Sequence, residues 1–179
     1  TRIAVVDTGF NIGALTGPVS QDSLRKREPH FFDDQNKKAM RHGTAVTNLI
    51  NGSTPVGVAE KSIIVALAKL DHNLSLAFEK IRLTQPQLLN LGLANSGDSK
   101  LKDELLKLYS DGVLTIAPAG NDFPRTVDNM MAETGAIIIG SLSPIGLISA
   151  FSQQGQVTIL APSDDWILSI ADNTGLRGF

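Results

Sequence analysis

The sequence predicts an α/β fold, a mostly parallel sheet with helices on both faces, formed as one domain over residues 1–179. Short apolar runs alternate along the chain with longer segments in which apolar residues recur at helical spacing. The apolar runs are continuous, which is typical of strands that helices bury on both faces of a parallel sheet. Apolar residues make up 42% and charged residues 19% of the chain, which is a globular composition.

The first strand is predicted over residues 3–6, an apolar run that ends in Asp7-Thr8-Gly9. A carboxylate at the end of a buried strand can cap a turn, form half of an aspartic protease dyad, serve a phosphotransfer enzyme, or orient the histidine of a hydrolase triad. Aspartic proteases are all-β, so the helical segments argue against the dyad. A phosphotransfer enzyme needs a glycine-rich phosphate loop, and only Gly9 precedes Gly13, which leaves that alternative distant.

A helix that carries a histidine is predicted next along the chain. Residues 11–36 are polar and contain Gly and Pro breakers, so we interpret them as a surface connection. Residues 41–50 place apolar side chains on one helical face, and Asn51-Gly52 supplies a stop signal. His42 is therefore expected in, or just before, the first turn of this helix.

The remaining strands are predicted from further apolar runs, each bounded by turn or helix signals. They fall at residues 62–67, 88–93, 113–117, 136–140, 157–160 and 167–170. Together with the first strand they supply a sheet of ordinary size.

Two further helices are predicted between these strands. One runs from Leu74 through Ile81 and ends before Pro86. The other begins at Asp98 or Ser99, which can cap its first turn, and is closed by Gly112. The alternation of strand and helix is the sequence form of a helix-covered parallel sheet.

Polar residues with chemical potential stand at the ends or starts of these elements. Asp7 follows the first strand, His42 opens a helix, and Asn121 follows the strand at residues 113–117. In open α/β sheets, the carboxyl ends of the strands are where sites are built. These residues are therefore the leading candidates for a site.

The motifs around these residues resemble those of a known family. Val6-Asp7-Thr8-Gly9, His42-Gly43-Thr44 and Ala119-Gly120-Asn121, in that order, resemble the Asp, His and oxyanion motifs of the subtilisin-like serine proteases, peptidase family S8. Other stretches resemble connecting segments of that family: residues 57–59, 148–155 and 160–162. The resemblance spans nearly the whole chain. It implies a three-layer subtilisin-like architecture and a serine endopeptidase, expected to be secreted.

The resemblance also implies roles for the site residues. A serine hydroxyl is a poor nucleophile near neutral pH and needs a neutral imidazole to take its proton, and His42 would be that base. Asp7 would orient His42, and Asn121 would donate to the oxyanion that forms when a carbonyl is attacked. A helix N-terminus should lower the pKa of His42 whereas Asp7 should raise it, so these influences oppose each other.

Substrate-binding residues follow from the resemblance in the same way. Leu91-Gly92-Leu93-Ala94 matches the edge that pairs with the substrate backbone. Ala117-Pro118-Ala119-Gly120 matches one wall of the pocket that holds the substrate residue before the scissile bond. Ala94 and Pro118 depart from the residues usual in the family, and both changes are expected to narrow the cleft.

The nucleophile motif of the family, Gly-Thr-Ser-x-Ala-x-Pro, is absent from the sequence. Ile167-Leu168-Ser169-Ile170 resembles the approach to it, so the serine is expected beyond Phe179 and this chain alone is expected to be nearly inert. The domain would then be a single core truncated before the nucleophile helix. The alternative is an inactive fragment or degenerate relative that acts as a peptide-binding module.

Partners and cofactors are constrained by composition and charge. A peptide or protein substrate is expected, and a second fragment or chain that supplies the serine helix is expected to cover an exposed apolar face. The net charge of −2 and a single basic cluster at residues 25–27 argue against nucleic acid, and no apolar run approaches the length of a membrane helix. No signal peptide opens the sequence.

No metal or cofactor is expected. Calcium is possible by family, but no ligand loop is recognisable, and the absence of Cys excludes thiolate sites. His30, Asp33, Asp34 and His42 are interpreted as residues of a solvated loop and its neighbouring helix.

Overall fold

The computed structural model describes residues 1–20, 37–53, 57–69, 74–93, 98–127 and 129–163. Its centre is a sheet in the order β2-β1-β3-β4-β5-β6, and every neighbouring pair of strands is parallel. The strands are β1 Arg2–Asp7, β2 Ile63–Lys69, β3 Leu88–Leu91, β4 Leu114–Pro118, β5 Ile137–Leu142 and β6 Ile159–Pro162. The predicted α/β class with a parallel sheet is confirmed, while the strand predicted at residues 167–170 lies outside the described residues.

The helices lie between the strands in sequence, as the alternation predicts. They are α1 Lys37–Asn51, α2 Leu74–Leu83, α3 Ser99–Ser110 and the short α4 Asn129–Ala132. A 3-10 helix at Ile12–Ala14 comes before α1. Asp98 caps α3, since its side chain accepts the N–H of Lys100 at 2.9 Å. The 3-10 helix falls in the segment interpreted as a surface connection, and α4 has too few residues to show a helical periodicity. No helix of the described part is both long and apolar enough to cross a membrane.

The sheet separates the core into two clusters. On one face, Phe78 and Ile81 of α2 and Leu105 of α3 pack against strand residues such as Leu89. On the other, strand residues including Val5 pack with the partly buried residues of α1 and the neighbouring loop. Helices therefore cover both faces of β1, which is buried along most of its length and ends at the fully buried Asp7.

The face that α1 covers at β1 is less well covered further along the sheet. The residues of β3, β4 and β5 that pair in register with this side are only partly buried: Leu88, Asn90, Leu114, Ile116, Ile137 and Ile139. Their neighbours that point to the opposite face are buried. At the sheet edge, Ile159 and Leu160 of β6 are 51% and 38% exposed. An apolar strip of the sheet on the α1 side is thus partly open.

Candidate active site

The sheet and helix α1 bring Asp7 and His42 into direct contact. Asp7 is fully buried at the carboxyl end of β1, and its Oδ1 lies 2.7 Å from Nδ1 of His42. The imidazole is about half exposed, with 49% of its side-chain surface accessible. A hydrogen bond to Nδ1 selects the tautomer with the proton on that nitrogen, which leaves Nε2 as the basic nitrogen. The pair therefore has the geometry of an oriented general base.

The carboxylate of Asp7 is held mainly through one oxygen. Oδ1 accepts from the backbone N–H of Thr8 at 2.7 Å and from the Thr8 hydroxyl at 3.1 Å, besides its contact with His42. Oδ2 is buried, and no hydrogen-bond partner for it occurs within the described ranges. These contacts fix the direction in which the carboxylate faces the imidazole.

Glycine at position 92 makes room for that carboxylate. A Cβ at Gly92 would lie 2.0 Å from Oδ2 of Asp7, and the Gly92 N–H donates to the Val6 carbonyl at 2.7 Å. The pairing of Val6 with Leu91 in the parallel ladder brings this residue beside Asp7. Its contact with the carboxylate has no signal in the sequence, because it depends on β3 lying next to β1.

Glycine at position 43 lets helix α1 approach the end of β1. A Cβ at Gly43 would lie 2.3 Å from the carbonyl oxygen of Gly9 and 2.9 Å from the ring of Phe10. The backbone around Gly43 passes directly against the segment that follows Asp7. The close approach makes the short contact between Asp7 and His42 possible.

The pKa of His42 is raised above its ordinary value of 6.5, chiefly because Asp7 accepts a hydrogen bond from the imidazole, with the negative charge of Asp7 adding to the effect. Burial of the ring opposes this increase.

The expected position of His42 at the start of its helix is wrong. Helix α1 begins at Lys37, so His42 lies in the second turn, beyond the reach of the N-terminal dipole, which fades within the first turn.

The raised pKa of His42 predicts a pH-dependent stability. A histidine whose pKa rises on folding stabilises the protein fully below its unfolded pKa of about 6.5, and this contribution is lost as pH rises through the folded pKa. The free energy of unfolding of the native protein, minus that of His42→Gln, should therefore shrink as the pH rises from below about 6.5 through the folded pKa of His42. Urea unfolding at several pH values measures it. The other histidines cancel because both proteins carry them, and a difference that stays constant with pH would contradict the prediction.

Asn121 lies on the same edge of the sheet as Asp7. It is exposed and follows β4, and the preceding Gly120 is buried with a φ of +105°, a conformation that glycine adopts readily. Glycine at position 120 therefore allows the chain to turn at the end of β4. Because β3 separates β4 from β1 and strands lie about 4.8 Å apart, the ends of β1 and β4 are about 10 Å from each other.

The predicted substrate-binding residues fall around the ends of β3 and β4. Leu91 is buried and ends β3, and the N–H of Gly92 is used within the sheet, so new backbone pairing with a peptide would begin at Leu93. Ala94 lies outside the described residues. At the end of β4, the side chains alternate: Ala117 buried, Pro118 exposed, Ala119 buried.

One residue of the site was missed in the sequence although it belongs to the histidine motif. Thr44 is buried, and its Oγ1 accepts the backbone N–H of Asn11 at 2.8 Å.

Within the part of the chain that the structure describes, no group of three or more metal-binding side chains occurs. His30, Asp33 and Asp34 lie outside those residues.

Comparison with known proteins places the chain in a family. A family model described as the subtilase family matches residues 1–176. The minor extracellular protease Epr of Bacillus subtilis (strain 168) is 27% identical over 175 residues, which cover 90% of this chain and 26% of that protein. The thermophilic serine proteinase of Bacillus sp. (strain AK1) is 25% identical over 187 residues, covering 96% of this chain and 46% of that protein.

Solved structures show the same fold. The psychrophilic subtilisin-like protease Apa1 from the Antarctic psychrotroph Pseudoalteromonas sp. AS-11 matches with a TM-score of 0.61 at 22% identity, covering 90% of this chain and 41% of that chain. This chain thus spans less than half the length of the relatives named here.

Proposed function

The chain belongs to the subtilase family of serine-type peptidases, and from that membership we propose that it is the part of a serine endopeptidase that carries the triad aspartate and histidine. The observation that carries this proposal is the 2.7 Å contact between the buried Asp7 carboxylate and Nδ1 of His42. An oriented imidazole of this kind is what a serine nucleophile needs for activation near neutral pH. The substrate is a peptide or protein, and the reaction is hydrolysis of a peptide bond through an acyl-enzyme.

In this mechanism the residues act in a fixed order. Nε2 of His42 takes the proton of the serine hydroxyl as the oxygen attacks the peptide carbonyl, and it then gives that proton to the leaving amine. Asp7 stabilises the imidazolium between these steps and stays ionised. Asn121 donates to the oxyanion from the end of β4. Because His42 must be neutral to act as base, its raised pKa implies that activity increases with pH through that pKa.

The nucleophile is proposed to come from outside residues 1–179, either from a later segment of the same protein or from a second chain. The sequence contains no Gly-Thr-Ser motif, and the chain spans only 26% and 46% of the length of the relatives described above. The partly open apolar strip on the α1 side of β3, β4 and β5 supports the same proposal, because a packed helix would bury it. No cofactor is required by this chemistry, and no calcium site is proposed.

A fluorophosphonate probe applied to the complete gene product tests the proposed function. We expect a single serine to be labelled, and we expect the labelling rate to fall by about 10³-fold or more in His42→Ala, since the base that activates the serine is then lost. His72→Ala is the matched control and should label like the native protein. If the native protein is not labelled, the chain is instead the peptide-binding module considered above, and peptide binding without turnover would be its signature.

Secretion is proposed with the same function. The relative from Bacillus subtilis is described as an extracellular protease. The absence of Cys does not argue against an extracytoplasmic location, because a disulfide is not needed to stabilise a domain that buries a core of this size.

A further inference from the structure

The contact between Asp7 and His42 joins two elements that the chain connects only through a long loop. The residues are 35 positions apart, one at the end of β1 and the other in α1. A hydrogen bond weakens steeply when its ends separate or tilt, so the relative placement of the β1 end and the helix must be fixed to within a fraction of an ångström. Other contacts between the two elements must supply that placement.

Glycine at position 43 permits the two elements to approach closely. A Cβ added at Gly43 would lie 3.1 Å from Cβ of Asp7 and 2.3 Å from the Gly9 carbonyl oxygen. The absence of a side chain allows this approach but does not hold the elements together. An attractive contact is needed to prevent them from separating.

Thr44 supplies an attractive contact. Its Oγ1 accepts the backbone N–H of Asn11 at 2.8 Å, and only 1% of the residue is exposed. Asn11 ends the segment that leaves Asp7 and begins the 3-10 helix. Thr44 is two residues after His42, about 200° around the helix, so its hydroxyl cannot reach the same reacting atoms.

We propose that Thr44 is a positioning residue for the proposed reaction, whose hydroxyl tethers the segment following Asp7 to helix α1 and thereby sets the distance between the carboxylate and the imidazole. The tether acts through the backbone N–H of Asn11, not through contact with substrate. Glycine at position 43 permits the close approach of the two elements, and the hydrogen bond at Thr44 holds them there. The inference concerns the geometry of the Asp7–His42 pair, and its kinetic consequence rests on the proposed function.

Thr44→Val tests the tether, because valine has nearly the same shape and lacks the acceptor oxygen. We expect the pKa of His42, followed by NMR titration of its ring proton, to fall towards the ordinary value of 6.5. In the complete gene product, kcat should fall between about 10-fold and about 100-fold with KM nearly unchanged, because misplacement by about 1 Å costs on the order of 10² in rate. Thr44→Ser keeps the hydroxyl and should restore both values.

Thr47→Val is the matched control. Thr47 is also 1% exposed, and its hydroxyl donates to the Gly43 carbonyl at 2.7 Å within the same helix. Loss of this hydroxyl should lower the stability about as much as Thr44→Val does, and it should leave the pKa of His42 unchanged. If both variants move the pKa equally, or neither does, the tether is refuted.

Two further outcomes are decisive. Should Thr44→Val fail to fold, Thr44→Ala removes the same acceptor with less crowding and replaces it in the comparison. The NMR titration needs no peptidase activity, so a shifted pKa in an inactive protein would sustain the tether while contradicting the proposed function.

Discussion

Replacing Asp7 with Ala should lower kcat of the complete peptidase on the order of 10⁴-fold, which is the scale of the loss when the aspartate of the subtilisin triad is removed. The alanine cannot accept the Nδ1–H of His42, so both the orientation and the tautomer of the imidazole are released. It also removes the hydrogen bond and the charge that raise the pKa of His42, so that pKa should fall. KM should change much less, because Asp7 is buried and touches no substrate.

Asp7→Asn separates the hydrogen bond from the charge. The backbone nitrogen of Thr8 and Nδ1 of His42 both contact the same oxygen of Asp7, Oδ1, each at 2.7 Å. Because the Thr8 N–H can only donate, the amide oxygen of an asparagine should occupy the Oδ1 position, where it still accepts from His42. We therefore expect the asparagine variant to keep the tautomer, to lose the anionic stabilisation of the imidazolium, and to retain more activity than the alanine variant.

Steady-state kinetics on a peptide substrate and NMR titration of His42 measure both effects. Asp98→Asn is the control, since Asp98 caps α3 from an exposed position and asparagine caps equally well. If the kcat of the alanine variant lies within about tenfold of the native value, the proposed role of Asp7 in the triad is wrong. An asparagine variant as inactive as the alanine variant would mean that its amide nitrogen faces His42.

Much of the fold could be predicted because local signals and burial agree. The apolar run before Asp7 is continuous, and β1 is covered on both faces, so the run was sufficient to identify a buried strand. The position before an amphipathic segment predicts Asp98 or Ser99 as the cap, and in the structure the side chain of Asp98 accepts the N–H of Lys100. These elements depend on interactions within a few residues.

The start of α1 could not be predicted, for a local reason. Residues 37–41 read Lys-Lys-Ala-Met-Arg, and their two apolar residues, Ala39 and Met40, are too few to show that the pattern of residues 41–50 begins earlier. The helix nevertheless begins at Lys37, which moves His42 away from the helix N-terminus. This change decides the electrostatics of the site, because Asp7 then raises the pKa of His42 without an opposing helix dipole.

The surroundings of Asp7 could not be predicted because they depend on strand order. The alternation of strands and helices indicates a parallel sheet but does not say which strand lies beside β1. The order β2-β1-β3 brings Gly92 against the carboxylate, a contact that the resemblance, which assigns Gly92 to substrate binding, does not predict. Contacts between residues this distant in sequence follow from the register of β1 and β3 alone.

Gly92→Ala should therefore reduce kcat nearly as much as loss of Asp7 itself, by about 10³-fold to 10⁴-fold. The new Cβ would lie 2.0 Å from Oδ2 and 2.8 Å from Cγ of Asp7. Asp7 is fully buried, and the N–H of Gly92 is bonded to the Val6 carbonyl at 2.7 Å, so neither side can retreat without breaking a contact. The carboxylate should rotate away from His42, so the pKa of His42 should fall towards its ordinary value.

Gly13→Ala is the matched control for this substitution. A Cβ at Gly13 would meet only the side-chain oxygen of Asn11, at 3.6 Å, which is an ordinary contact. Gly92→Ala should also lose about 1–3 kcal/mol of unfolding free energy through overpacking, whereas Gly13→Ala should not. Urea unfolding, kcat and the His42 titration are measured on both proteins. If Gly92→Ala is destabilised but keeps its kcat and its His42 pKa, the backbone has moved rather than the carboxylate, and Asp7 does not need the space that glycine leaves.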